Sequence, residues 1–595
     1  MQDDFTIRSH DKSLSKLFDD FYLVPDYQRE YVWEEVQVEQ LIEDIHAEFS
    51  SDNGHNREYF IGSIVVCLKP AGVFEMIDGQ QRMTTAYLFL CAVRDHMNEH
   101  RLNAIQELEQ KIATAGIDES GRDVFRYRVE LQYEDSAEVL RRIAEGSDGL
   151  EQLPSTRSVV NIRNAYELLR AFLDREFATD EQSLRRFYSY FMTKVKLVRI
   201  EAPSVAHALK IFETINDRGI GLDSMDLLKN LMFMKAAPTE FDKLKREWKK
   251  LIDTLHKARE KPLRFLRYFI FATYDVDRLR QDEIYAWFVK NEERCGYEND
   301  PVGFVRTLLE VARDYVQFLK GKDASGQPNR YLENLRYLSG AARQHLILLL
   351  AARHLDTESM TQLCRNVENL FFAYLITREP TREFERKFAQ WTSELRSVDN
   401  ATDLEAFLSR RFEPELRELS ERFDLALETL DAKSIQKYRM RYLIGKLAQH
   451  ANELAYPGET GQTRLDAFIN SALDIEHILP QRPSSGALQE FDKPDEADSW
   501  IQRLGNITLI EKTLNAALGN KPFSQKKEVY PRSKFLLTTT IGESARVGKN
   551  TAVDRAISEL GLVPYESWTS REIADRQNRL RQIARKAWDI PEPSP

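Results

Sequence analysis

The stretch best suited to chemistry is Asp474-Ile475-Glu476-His477-Ile478-Leu479-Pro480, followed by Leu504-Gly505-Asn506-Ile507-Thr508-Leu509-Ile510 and then Asn515. A carboxylate stands beside a histidine at the end of a short apolar run, and two asparagines follow, nine residues apart. These are the parts a one-metal nuclease needs. An imidazole near its usual pKa of about 6.5 accepts a proton from water at neutral pH. A carboxylate and an amide oxygen suit a hard divalent ion, which neutralises charge developing on a phosphate. A further asparagine can fix the loop that orients the histidine. The plainer alternative is a buried histidine with loop-capping asparagines; the types and order of all these positions argue against it.

A second stretch, Asp78-Gly79-Gln80-Gln81-Arg82-Met83-Thr84-Thr85, lies between an apolar run at Val73–Ile77 and a helical pattern from about Gln81 to Met97. A strand-to-helix turn aims free backbone N–H groups and the helix dipole at one point, which suits an anion. Gly79 allows close backbone approach, Arg82 offers a fork to phosphate, and Thr84 and Thr85 add hydroxyls. A capped helix start with a surface arginine would look the same locally. Two further segments stand out. Tyr27-Gln28-Arg29-Glu30-Tyr31 sets Arg29 among aromatics. Ile211-Phe212-Glu213-Thr214-Ile215-Asn216-Asp217-Arg218-Gly219 ends a helix in a turn, before Leu222–Asn230 opens another. There is no G-x-x-x-x-G-K-[ST] string, which excludes a P-loop enzyme.

The C-terminal strings resemble the HNH, or ββα-metal, endonuclease motif. The resemblance implies that His477 is the general base and Glu476 a metal ligand, with Asn506 as loop anchor and Asn515, on the following helix, as second ligand. Glu476 stands where Asp or His is commoner and lengthens the ligand arm by one methylene; Asp474 could substitute for it or orient the histidine.

At the other end, PDYQREYVW (Pro25–Trp33), DGQQRMTT (Asp78–Thr85) and IFETINDRGIGLDSMDLLKN (Ile211–Asn230) together resemble the N-terminal domain of the GmrSD family of modification-dependent, type IV restriction enzymes. That domain is similar to the ParB/sulfiredoxin fold and hydrolyses or senses nucleoside triphosphates. The resemblance gives Asp78, Gly79, Gln80, Gln81, Arg82, Thr84 and Thr85 to the nucleotide, with Asp78 and Arg82 in hydrolysis, Arg29 as a neighbour, and Asn216, Asp217 and Arg218 as further candidates. Asn520–Lys527 (NKPFSQKK) is similar to the nuclease half of the same family and makes Lys521 and Lys526 phosphate contacts. The implied activity is a nucleotide-stimulated (GTP, UTP, CTP or ATP) and Mg²⁺- or Mn²⁺-dependent endonuclease. Its substrate would be modified, foreign double-stranded DNA such as phage DNA. Two other classes stay open: a nucleotide-dependent DNA sensor with a weak nuclease, and an RNase or abortive-infection effector on the same nuclease fold.

The 595 residues exceed the roughly 250–300 that one core accommodates. The expected class is α+β multidomain and mostly helical. Residues 1–235 would form a ParB/sulfiredoxin-like mixed-sheet, nucleotide-binding domain with helical insertions. Residues 236–455 would be a helical spacer and 456–595 the ββα-metal nuclease. Strand patterns fall at Tyr59–Leu68, Val73–Ile77, Arg122–Tyr133 and Lys194–Ile200, and helical ones at Trp33–Phe49, Asn103–Ala113 and Arg157–Phe177. Leu346–Ala352 is apolar all round, as in a buried helix. A final helix over Trp568–Trp588 carries Arg571, Arg576, Arg579, Arg581 and Arg585 and could lie along DNA.

Composition narrows the setting. Apolar content of 42% and charged content of 30% are those of a globular protein. No apolar run approaches the ~20 residues that span a bilayer, and Met1-Gln2-Asp3-Asp4 has no signal core, so a cytoplasmic protein with no membrane partner is expected. Four cysteines, far apart and without a C-x-x-C pair, argue against a disulfide scaffold or a zinc ribbon. The net charge of −11 argues against a nonspecific nucleic-acid coat. Residues 501–595, however, hold 16 Lys+Arg against 10 Asp+Glu, a locally basic end that could hold phosphate backbone. Homo-oligomerisation is left open.

Overall fold

The computed structural model describes the chain apart from residues 1–6, 26–27, 29, 52–56, 70–71, 118–122, 147–149, 154–155, 217–223, 459–462, 545–550 and 594–595. Contacts divide it into two compact units. One comprises Met1–Lys249 with Tyr285–Val305; the other comprises Lys250–Ile284 with Arg306–Pro595. The expected segment 1–235 lies inside the first unit. The segments 236–455 and 456–595 do not separate: apart from 236–249 and 285–305, they share the second.

The first unit is built on a six-stranded mixed sheet of β1 (Arg8–Ser13), β2 (Phe21–Val24), β3 (Tyr59–Leu68), β4 (Val73–Asp78), β7 (Val129–Leu131) and β8 (Val195–Ala202), in the order β1-β8-β3-β4-β2-β7. The intervening β5 (Ala113–Ile117) and β6 (Asp123–Tyr127) form a separate two-stranded ribbon. The β-branched run of β3 pairs antiparallel with β4 and parallel with β8. Helix α1 (Glu35–Ser51), helix α2 (Gln80–Glu99) and helix α3 (Arg157–Glu176) bury their apolar positions in one core. Helix α2 is buried nearly all round, from Met83 to Met97, which is why its sequence lacks a polar stripe. The helix expected over Asn103–Ala113 is confined to Leu108–Ile112, and the chain passes at Ala113 straight into β5. The strand expected over Arg122–Tyr133 is interrupted at Arg128, which separates β6 from β7.

The second unit is helical around one small hairpin. Helix α5 (His345–Ala351) is fully buried, as its unbroken apolar run requires. Helix α6 (Thr357–Ile376), helix α7 (Ala401–Glu428) and helix α8 (Lys437–Ala455) pack with the last helix, α10 (Ser570–Ala587). (Helix α4, Ser224–Lys235, belongs to the first unit, and α9, Lys512–Leu518, follows the hairpin.) The side chain of Glu368 on α6 is fully buried and accepts from Asn334, from the Tyr442 hydroxyl at 2.5 Å and from Lys446 at 2.9 Å. Trp588 donates to Tyr442 and stacks on Phe372 at 4.0 Å between centroids. A buried carboxylate is tolerated only when its acceptors are filled. The partners here come from the helix Arg330–Ser339 and from α8, with Trp588, just after α10, on Tyr442, so the helical middle and the C-terminal end share one core. That is why no boundary falls near residue 456.

The hairpin is β9 (Leu473–His477) with β10 (Ile507–Glu511), antiparallel, pairing Ile507 with His477 and Ile510 with Asp474. Helix α9 follows at once. Among the described residues, no helix is long and apolar enough to cross a membrane.

Candidate functional site

Two places collect the residues singled out in the sequence, and each is built on the end of a strand. At the first, β4 ends at Asp78 and α2 begins at Gln80, with Gly79 between them at φ +87°. A Cβ there would overlap the Ile64 side chain of β3, so the turn needs glycine for both its backbone angle and its space. Gly62, at φ +106°, sits where the pairing of β3 with β8 shifts register, between Phe60 and Ser63. A Cβ at 62 would overlap the Arg82 guanidinium, which donates from Nη1 to the carbonyl of Ile61 at 2.9 Å. The irregularity in β3 thus makes room for the arginine of the turn.

The polar side chains of this turn hold backbone. Gln81 is buried, and its Oε1 accepts from Val32 N at 2.9 Å and Trp33 N at 3.2 Å while its Nε2 donates to Glu30 O at 3.1 Å. Thr85 bonds back to Gln81 O and lies 2.7 Å from the Tyr31 hydroxyl. Thr84 and Gln80 are buried. The segment Glu30–Trp33 is therefore strapped to the start of α2 by Gln81 and Thr85. The straps explain why the strings Pro25–Trp33 and Asp78–Thr85 occur together.

Lys229 on α4 joins this place. Its Nζ donates to the carbonyl of Gln28 at 3.2 Å, and desolvation lowers its pKa to about 8, against the opposing pull of Asp226 and Glu30. The sequence reading carried Lys229 only as part of a helix start. Nothing in a lone Lys of an Asp-Leu-Leu-Lys-Asn string marks it, because its significance comes from a contact some 200 positions away. Arg29, Asp217 and Arg218 lie outside the described residues, and Asn216 closes the helix Val205–Asn216 without a described side chain.

At the second place, β9, β10 and α9 follow in strand–strand–helix order. Asn506 is fully buried. Its Oδ1 accepts from Leu479 N at 2.7 Å and from the Trp568 indole at 2.8 Å, and its Nδ2 donates to Leu479 O and Ile501 O. Its backbone carbonyl accepts from Ile478 N. The two residues after His477 are thus held by one asparagine, Leu479 by its side-chain amide and Ile478 by its backbone carbonyl. Arg576 of α10 supports the same corner, donating from Nη1 to Gly505 O and Ile507 O. Burial pushes its pKa down to about 10.

His477 is half-buried. Its Nε2 lies 3.2 Å from the Gln481 amide, and Gln502 also hydrogen-bonds the ring. Desolvation, aided by the nearby Lys526 charge, lowers its pKa to about 4, so the ring is neutral at neutral pH. Asn515 on α9 brings its amide to Asp474, with Nδ2 3.2 Å from Oδ2.

Three expectations change here. Glu476 is taken up by side chains of the core: it is buried, its Oε1 2.5 Å from the ammonium of Lys526 and 3.3 Å from the Tyr530 hydroxyl. Lys526 is fully buried and also donates to His477 O at 2.9 Å, so it cannot reach a phosphate outside. Burial pushes the Glu476 carboxyl up and the Lys526 amine down, and their mutual contact opposes both shifts. Finally, α10 does not offer its arginines as a row. Arg576 is buried, Arg581 and Arg585 pair with Asp424, and Arg579 pairs with Asp575. Lys521 remains exposed, with its Nζ on Ala517 O at 2.8 Å.

The carboxylate that meets Asn515 is therefore that of Asp474, which accepts from the amide nitrogen. No curated protein matches the chain. The family model described as GmrSD restriction endonuclease, N-terminal domain, matches residues 12–233, and the one described as GmrSD restriction endonucleases, C-terminal domain, matches residues 418–583. With both models matched in order along one polypeptide, the chain belongs to the GmrSD family of restriction endonucleases.

Proposed function

We propose that the chain is a divalent-metal-dependent endonuclease whose cutting centre is His477, Asp474 and Asn515, held in place by Asn506. The observation that carries this reading is the contact of Asp474 with Asn515 across the strand–strand–helix unit whose first strand ends in His477. Such an order and content support the ββα-metal, HNH type of nuclease. Asp474 and Asn515 would hold Mg²⁺ or Mn²⁺, and Glu476, committed to Lys526, would not. When bound, the ion supplies charge neutralisation at the scissile phosphate.

The neutral ring of His477 removes a proton from water. The resulting hydroxide forms a bond to phosphorus in line with the leaving 3′ oxygen, and the P–O3′ bond breaks. Asn506 acts at one remove: its bonds to Leu479 and its carbonyl's bond to Ile478 N keep the loop, and so the imidazole, in register.

The N-terminal site would take a nucleoside triphosphate at the start of α2. Gly79, the backbone N–H groups of that turn and Arg82 would face the phosphates, with Lys229 nearby. Gln81 and Thr85 would transmit occupancy to the Glu30–Trp33 strap rather than bind ligand. This arrangement suits nucleotide stimulation of cleavage. It equally suits a nucleotide-dependent sensor with little cutting of its own, because the turn's side chains are spent on structure. The substrate would be modified, foreign double-stranded DNA.

The deciding experiment is cleavage of matched modified and unmodified phage DNA, with Mg²⁺ or Mn²⁺ and each of GTP, UTP, CTP and ATP, by wild type and His477→Ala. Cutting of modified DNA alone, lost in His477→Ala, is expected. No cutting in any lane beside clear nucleotide turnover would transfer the function to the sensor. Degradation of RNA without DNA cutting would transfer it to the RNase class.

A further inference from the structure

Away from both places, the last turn of α2 and the end of α3 bring together His96, His100 and Asp174. One donor atom from each lies within 4.8 Å of the other two. His96 Nδ1 is 2.9 Å from Asp174 Oδ1, and His100 Nε2 is 3.1 Å from the same oxygen. The imidazole rings are 4.4 Å apart between centroids.

The tautomer of His96 decides what this cluster is. The side chain is fully buried, and its Nε2 lies 2.8 Å from the carbonyl of Ala178, which can only accept. Nε2 therefore carries the proton. In the neutral ring Nδ1 is then a bare lone pair, buried, and 2.9 Å from a carboxylate oxygen that is also only an acceptor. Two lone pairs at that distance repel unless something positive lies between them. A second proton on the ring would do it, and so would a metal ion.

Three features favour the metal. A metal-binding histidine ordinarily donates its other N–H to a backbone carbonyl, as His96 does to Ala178. Two histidines four apart on a helix share one face, and here a carboxylate from a second helix completes the set. Helices α2 and α3 both end at this point, and the negative ends of their dipoles favour a cation. The two nitrogen–oxygen distances are slightly short of the ~3.3 Å expected between ligands on a tetrahedral ion with bonds of about 2.0–2.1 Å. A small outward rotation of the exposed Asp174 would reach it. His96 Nδ1, His100 Nε2 and one Asp174 oxygen make a nitrogen-rich set that suits Zn²⁺ over Mg²⁺.

We propose that His96, His100 and Asp174 bind a zinc-class transition-metal ion that clasps the end of α2 to the end of α3. His96 lies sixteen residues along α2 from Gln80, or about 24 Å at 1.5 Å per residue, so the clasp is separate from the phosphate-facing turn. Its role is to hold fixed the helix on which that turn is built.

The test uses the full chain with Co²⁺ as a spectroscopic probe and Zn²⁺ as competitor. Asp474→Asn serves as the background that removes the carboxylate of the nuclease centre. One equivalent of Co²⁺ is expected to give visible d–d bands, displaced by Zn²⁺ and unchanged in Asp474→Asn. His100→Ala, a partly exposed position, is expected to weaken binding at least 10-fold and to abolish the rise in Tm that Zn²⁺ gives the parent. Identical Co²⁺ titrations for His100→Ala and the parent would overturn the proposal. So would no Co²⁺ binding at all, with ¹⁵N NMR showing both nitrogens of His96 protonated at neutral pH, since the cluster would then be an ion pair only.

Discussion

The two places differ in where their polar side chains go. At Asp78–Thr85 the side chains of Gln81 and Thr85 turn inward to backbone at Glu30–Trp33 and to the Tyr31 hydroxyl, while Arg82 commits its Nη1 to the carbonyl of Ile61. At Asp474–Asn515 some side chains do the same, Asn506 and Glu476 among them, while His477 and the Asp474–Asn515 pair stay at the margin of the core. A motif of a given length therefore holds two populations: residues that build the turn and residues left over for a ligand. A buried polar group without a partner costs about 1–3 kcal/mol, so burial sorts the two.

The contrast can be broken most sharply at the residues left over. His477→Ala is expected to lower the cleavage rate by about 10²–10⁴-fold while leaving the denaturation midpoint near that of the parent. A single-turnover assay alongside circular dichroism reads both. At a residue that builds, Lys526→Ala leaves Glu476 as an uncompensated buried charge. The expected cost is about 3–5 kcal/mol of stability, read by denaturant unfolding. Gln81→Ala strips the partners from Val32 N, Trp33 N and Glu30 O, at about 1–3 kcal/mol for the first unit. If Gln81→Ala instead abolished nucleotide binding without any loss of stability, the residue would belong with the ligand.

Acid sharpens the same division. Burial holds His477 at about 4, His450 at about 4 and His345 at about 3, all below the ordinary 6.5. As pH falls from 6.5 towards 4, the unfolded chain takes up protons that the folded chain refuses, so stability declines with falling pH across that window. Unfolding at pH 7.5 and 5 is expected to show this loss, reduced in His345→Phe. The acidic limb of the cleavage rate is expected below pH 5 rather than near 6.5. The smallest effect is at exposed Lys521: Lys521→Ala is expected to leave stability unchanged and to reduce the salt slope of DNA binding by about one.

The sequence was most legible where local pattern decides. The bounds of β3, the all-round burial of α5 and the strand–turn–helix at Gly79 follow from periodicity and backbone sterics, which are local. Asn506 stood out only through the resemblance of its string to the nuclease motif, and its hydrogen bonds to Leu479 show what it does in the loop. The partner of Glu476 was not legible, because it is Lys526, fifty residues on. The arginines of α10 misled for the same reason: charge count says nothing about which face meets Gly505 and Asp424. Lys229 and the His96–His100–Asp174 cluster are assembled from helices distant in sequence, which no spacing within one helix announces in full.

The assignment of the metal-side carboxylate to Asp474 is the point on which the cutting centre rests, and it can be measured directly. Single-turnover cleavage by Asp474→Asn and Glu476→Gln across a Mn²⁺ titration, with folded fraction monitored in parallel, separates the two carboxylates. Asp474→Asn is expected to stay folded and lose at least about 10²-fold in rate, partly recovered at high Mn²⁺. Glu476→Gln is expected to lose stability but to cut at a near-parental rate per folded molecule. A folded Glu476→Gln that cannot cut, beside an Asp474→Asn that cuts normally, would contradict the assignment and return the ligand to Glu476.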